Sequence, residues 1–81
     1  MQQYQVTVQR LDTQHAEMHV RNHAISTGIR RADPHAGPNA VETLLAALGT
    51  CLLTNVNTLV DQMHLVVTDA RVELTAIRQD Q

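Results

Sequence analysis

The spacing of apolar residues changes once along the chain. From Tyr4 to Ile29 it follows a period of two, and from Val41 to Met63 a period of three to four. In residues 4–10, Tyr4, Val6 and Val8 alternate with Gln5, Thr7 and Gln9, which predicts a half-buried strand. Leu11–Gln14 predicts a turn, with Asp12 and Thr13 supplying side chains that bond their own backbone. In residues 15–21, Ala16, Met18 and Val20 alternate with His15, Glu17, His19 and Arg21, the pattern of a returning hairpin arm. Asn22 marks a second tight turn. His23–Ile29 gives a third strand with Ile25, Thr27 and Ile29 on one side, weakened by Gly28. Arg30–Pro38 holds two prolines, a glycine and an Asp-Pro step, and predicts an extended loop.

Val41, Leu45, Leu48, Leu52, Val56, Leu59 and Met63 form one helical stripe. Leu44, Ala46, Ala47, Cys51, Leu53 and Val60 lie outside that stripe and are apolar too, so the helix is built to be buried on most sides. Asn39 is a favoured N-cap, Glu42 three residues on completes a capping box, and Pro38 stops the helix running backwards. A helix over Ala40–Met63 is about 36 Å long, whereas a compact chain of this size is only about 30 Å across. The chain is too small to wrap such a rod, which predicts a partner chain. His64–Asp69 then connects to a last strand over Ala70–Arg78, where Val72, Leu74 and Ala76 oppose Arg71, Glu73 and Thr75. Gln79–Gln81 is a polar end.

The predicted order is β-β-β-α-β in a single domain over residues 1–81. The fold class is α+β, a small and mostly antiparallel sheet packed on one long central helix. A two-fold dimer would cover both the free sheet edge and the helix.

With 81 residues the chain is marginal alone unless stapled or oligomeric. A single cysteine excludes an intrachain disulfide framework and a four-cysteine zinc site. Net charge is −2, all six basic residues are arginine, and Tyr4 is the only aromatic, a composition that disfavours nucleic-acid partners. No 18-residue run is free of polar residues and no charged-then-apolar leader opens the chain, so a cytoplasmic protein without a membrane partner is expected.

Cys51 is the one candidate nucleophile. A thiol attacks as thiolate, and its site must supply a cation or donors to lower its pKa. Cys51 lies about three turns into the helix, beyond the field of the helix end, so Arg21, Arg30 or Arg31 would have to supply the charge. The plainer alternative is a small buried apolar side chain. Glu42 is placed either to orient an arginine or to serve only the cap. His15, His19 and His23 recur every four residues, but on strands that spacing is about 13 Å. A metal needs ligands near 2 Å, so they form a solvated face and no metal is expected. His35 and His64 fall in loops. Arg30 and Arg31 beside Asp33 predict a solvated, locally paired loop.

The segment Gly37–Cys51, GPNAVETLLAALGTC, resembles the OsmC/Ohr family of osmotically inducible and organic hydroperoxide resistance proteins. Asn39, Glu42, Leu44, Leu45, Ala46, Ala47, Gly49 and Cys51 stand at the intervals of the family's motif. The resemblance implies a short member spanning the first half of the usual fold, in an intertwined homodimer with two long helices at its centre. It implies reduction of organic hydroperoxides in oxidative stress through Cys51, with Glu42 and an arginine such as Arg21 or Arg30 assisting. An external thiol or dithiol would be the reductant, with no bound cofactor. The chain departs from the family in three ways. The usual second cysteine is missing, Ala40 replaces the cap proline, and Val41 replaces the glutamate that follows it. A non-catalytic dimeric module of the same fold, binding a small apolar ligand, is the alternative.

Overall fold

Alternation in the first third of the chain is realised as three short strands in the computed structural model, which describes residues 2–78. The chain divides into two units, Met1–Thr43 and Leu44–Gln81. In the first, β1 (Thr7–Arg10), β2 (His15–Val20) and β3 (His23–Gly28) pair antiparallel in the order β1-β2-β3. The register aligns Val8, Met18 and Ile25 across the sheet, so the apolar sets predicted for each strand meet on one face. Ala16 stands opposite Arg10 and Thr27 and is 2 % exposed, the one buried apolar residue among those described.

Each turn has a local cause. In the first, Asp12 Oδ1 accepts the backbone N–H groups of Gln14 and His15, each at 2.8 Å. In the second, Arg21 and Asn22 connect β2 to β3, and Arg21 takes a left-handed φ of 52°. A two-residue hairpin needs a positive φ to match the strand twist, and here arginine rather than glycine supplies it. Gly28 ends β3 by donating its N–H to the Pro38 carbonyl at 2.8 Å. A Cβ on Gly28 would sit 2.7 Å from the Gly37 carbonyl oxygen, and Gly37 itself has φ 133°. Gly28 therefore does more than weaken a strand: its bare backbone is what lets the following loop lie against β3.

That loop carries a short 3-10 turn, Pro34–Ala36, whose cap is Asp33. Asp33 Oδ1 accepts the His35 N–H at 3.1 Å, and Asp33 Oδ2 accepts the Gln14 side-chain amide at 3.1 Å. The Ile29 N–H donates to the Gln14 carbonyl at 2.9 Å. Ala32 holds a left-handed φ of 69°.

The helix α1 spans Ala40–Met63, as the stripe and cap predict. The capping box is formed in both directions. Asn39 N–H donates to Glu42 Oε1 at 3.0 Å, and Glu42 N–H donates to Asn39 Oδ1 at 2.9 Å. At the other end His64 is left-handed (φ 56°), and Leu65 N–H reaches back to the Val60 carbonyl at 3.0 Å, which closes the last turn. Thr50, Thr54 and Thr58 each donate a hydroxyl to the carbonyl four residues back.

In the second unit Leu74 packs at Gly49, where an added Cβ would come within 3.1 Å of Leu74 Cδ1. The helix is otherwise poorly covered. Leu44 is 65 % exposed, Leu59 55 % and Met63 62 %. By length and composition alone α1 is long and apolar enough to cross a membrane, with a mean hydropathy of 1.5 over its best window. A helix buried inside a protein has the same properties.

One expectation needs correction. Ala70–Arg78 is not a strand: it has no ladder partner among the described residues, so the element order ends at α1. Its alternation supplies two faces, but a strand exists only when its N–H and C=O groups pair with a neighbour. The polar end over residues 79–81 lies outside the described residues. The α+β class stands, with a wholly antiparallel three-stranded sheet and one long helix.

Two outcomes follow from these contacts. Gly28→Ala should destabilise the protein by about 1–3 kcal/mol, because backbone rather than a flexible side chain must move. Thermal unfolding measures this, and an unchanged midpoint would contradict the close approach. The Asp12 carboxyl is held below its ordinary value of 3.8, first by the Gln14 N–H and then by the His15 side chain. The turn's contribution is therefore complete above pH 3.8 and is lost as pH falls through the lower folded value. An NMR titration should place the Asp12 midpoint below 3.8, and Asp12→Asn should flatten the stability slope in that acid range.

Candidate functional site

The stripe and cap that form α1 also set where its sulfur lies. Cys51 is eleven residues past the start of α1, about 17 Å along its axis. The partial charge at a helix end fades within the first turn, so α1 itself contributes no field at this sulfur. The thiol is free and exposed. Its chain neighbour Thr50 and Thr54 one turn on use their hydroxyl protons on the carbonyls of Ala46 and Thr50, both at 2.8 Å. Neither hydroxyl is left to donate to a thiolate, so any charge that activates Cys51 must come from another element.

Glu42 is placed at the first turn of α1, where Oε1 accepts the Asn39 N–H. It holds the helix start in the geometry of the cap, and its side chain is exposed. Val41 beside it carries no titratable group.

The candidate arginines belong to the first unit. Arg21 occupies the turn between β2 and β3. Arg30 and Arg31 follow β3 at its other end, in the turn closed by Asp33 N–H to the Arg30 carbonyl at 3.2 Å. The strand between the two turns is about 17 Å long, so Arg21 and the Arg30–Arg31 pair do not form one cluster. All three arginines are exposed. The expected local pairing with Asp33 is absent: the Asp33 oxygens accept from Gln14 and His35, and neither Arg30 nor Arg31 forms an ion pair with a described carboxylate. Both guanidinium groups are thus without a counter-charge within the described residues. The tie from Gln14 to Asp33 joins residues 19 apart and left no local mark in the sequence.

The three histidines do not form one face, because the turn after β2 folds His23 back across the hairpin instead of four residues further along a strand. His15 pairs with Asp12 and His19 with Glu17, each at 2.9 Å, while His23 sits opposite Val20 and so faces the other side of the sheet. Among the described residues no three His, Cys, Asp or Glu side chains converge. The second unit also holds an open groove of about 330 Å³, lined by Leu45, Ala46, Gly49, Leu53, Val72 and Leu74 with Thr50 at its side. A Cβ on Gly49 would crowd its wall, coming within 3.1 Å of Leu74 Cδ1.

A family model described as OsmC-like protein matches residues 31–81, well over half of the chain. No curated protein and no solved structure matches. The matched region contains Arg31, the capping box, α1 and Cys51, and leaves out the three strands with Arg21 and Arg30. On this match the chain belongs to the OsmC-like protein family.

Proposed function

We propose that this protein is a thiol-dependent peroxidase that reduces organic hydroperoxides through Cys51, as a homodimer serving the cytoplasmic response to oxidative stress. The observation that carries the reading is the position of Cys51: exposed on α1, at a fixed interval from the Asn39–Glu42 cap, inside the region that matches the family.

The chemistry balances with one cysteine per chain. The Cys51 thiolate attacks the outer peroxide oxygen, an S–O bond forms, and the O–O bond breaks. The sulfur is oxidised to sulfenic acid, and the alkoxide leaves as alcohol after taking a proton. An external thiol then condenses with the sulfenic acid and releases water. A second thiol, or the other arm of a dithiol, cleaves the mixed disulfide and restores Cys51. No metal or organic cofactor enters these steps. An arginine lowers the cost of the thiolate and of the developing alkoxide. Arg21, Arg30 and Arg31, which form no ion pair among the described residues, are the candidates for that role.

The exposed stripe of α1 supports a homodimer. Val41, Leu48, Leu52, Val56, Leu59 and Met63 remain open to solvent in one chain. Covering them with a second copy of the same surface removes water from both at once. Asn55, Asn57 and Asp61 put polar side chains on the second half of the helix, which a protein surface can pair and the apolar interior of a bilayer cannot.

The second reading, a non-catalytic dimeric module, is favoured by Val41 at a position where family peroxidases carry glutamate. The apolar groove beside Leu74 would then take a small apolar ligand.

Two measurements test these readings: the first decides between them and the second tests the dimer they share. Purified protein with tert-butyl hydroperoxide and a dithiol should consume peroxide at a rate that falls at least ~100-fold in Cys51→Ser, the loss expected when a nucleophile is removed. Equal rates would leave the module reading in place. Sedimentation at micromolar concentration should give twice the 9.0 kDa chain mass, and a stable 9.0 kDa species would end the dimer.

A further inference from the structure

We infer that residues 70–78 are a surface through which two copies of this chain pair edge to edge, antiparallel about a two-fold axis at Val72. The inference rests on the proposed homodimer and states where its copies meet. The residues involved all belong to the second unit.

The segment has the two faces of a strand without the ladder. Val72 and Leu74 line the groove on α1, and Leu74 lies against Gly49. Arg71 and Glu73 alternate with them and form an exposed ion pair at 3.1 Å, so the charged pair shares one side. Packing on α1 through one face leaves the edges of the segment open. Among the described residues, no backbone N–H or C=O of residues 66–78 bonds to another backbone group. An open edge of this kind is a template for a second extended chain.

Charge narrows what that second chain is. Residues directly opposite in an antiparallel pair share a face. For a second copy, an axis between residues would set Val72 against the charged side and mismatch the faces. An axis at Arg71 or Glu73 sets a charge against its own kind. An axis at Leu74 sets Arg71 against Ile77 and Glu73 against Thr75, with no charge matched. An axis at Val72 sets Arg71 of each copy against Glu73 of the other, two opposite-charge pairs on either side of Val72. On the α1 side it sets Ala70 against Leu74. The segment is therefore complementary to itself in one register. Each strand of the resulting pair rests on its own α1, the packing a two-stranded ribbon needs to persist in water.

The test separates contact between copies from the ion pair within one chain. Arg71→Glu and Glu73→Arg each break the in-chain pair and, in a homodimer, set like charges opposite each other twice. Mixed together, the two variants re-form both cross-strand pairs while the in-chain pair stays broken in each. Both positions are exposed, so the exchange of charge leaves packing untouched. In sedimentation each variant alone should self-associate about tenfold more weakly than wild type. Native mass spectrometry of an equimolar mixture should show about nine-tenths heterodimer, against the half that random exchange gives. Arg78→Glu mixed with Asp61→Arg carries the same charges at positions this register does not oppose, and should mix at random. If wild type is a dimer but the first two variants associate as it does, or mix at random, the inference falls and the dimer stands, with the segment paired to another edge. Preferential mixing of the control pair overturns it as well, since the attraction is then one of net charge. A monomeric wild-type chain removes the dimer and the inference together.

Discussion

The rest of this structure depends on how little of its own chain covers α1. The helix is apolar on most sides, and within its unit the segment after it reaches back mainly at Gly49, through Leu74. Six residues of its stripe stay exposed. Fully burying a Leu, Val or Met side chain is worth about 1.5–3 kcal/mol, so completing the half-burial of six yields on the order of 5–10 kcal/mol. That equals the whole net stability of a typical small domain. Surface ion pairs such as Arg71–Glu73, worth under about 1 kcal/mol, are small beside it.

The same helix constrains the chemistry. A cysteine in the first turn of a helix is activated by the helix itself; Cys51 in the middle is not. The threonines around it have used their protons on carbonyls. This saturation suits burial, since no hydroxyl is left without a partner when water is excluded. It also leaves neither hydroxyl proton free for the neighbouring sulfur.

What was legible in the sequence was what local chemistry decides. The bounds of α1 follow from the Asn39–Glu42 pair and the stripe, and the strand faces follow from period-two alternation. What was not legible depends on contacts distant in sequence or on residues in uncommon roles. Ala70–Arg78 has the pattern of a strand, but a ladder partner cannot be inferred from one segment. Arg21 and His64 take left-handed conformations that glycine would have advertised. Gly28 signalled a weak strand end, whereas its function is set by Gly37 lying against it. At the site, Cys51 and the capping role of Glu42 were visible. The diversion of Asp33 away from the arginines was not, because it requires Gln14 from another turn.

The family match begins at residue 31, between the two arginines of that turn. The matched region therefore carries the sulfur and its helix, and the three strands with Arg21 and Arg30 lie outside it. A helix can carry a thiol, but reactivity follows the geometry of the charge brought to it. For the proposed peroxidase that charge has to be an arginine's, so the matched helix alone does not account for the chemistry.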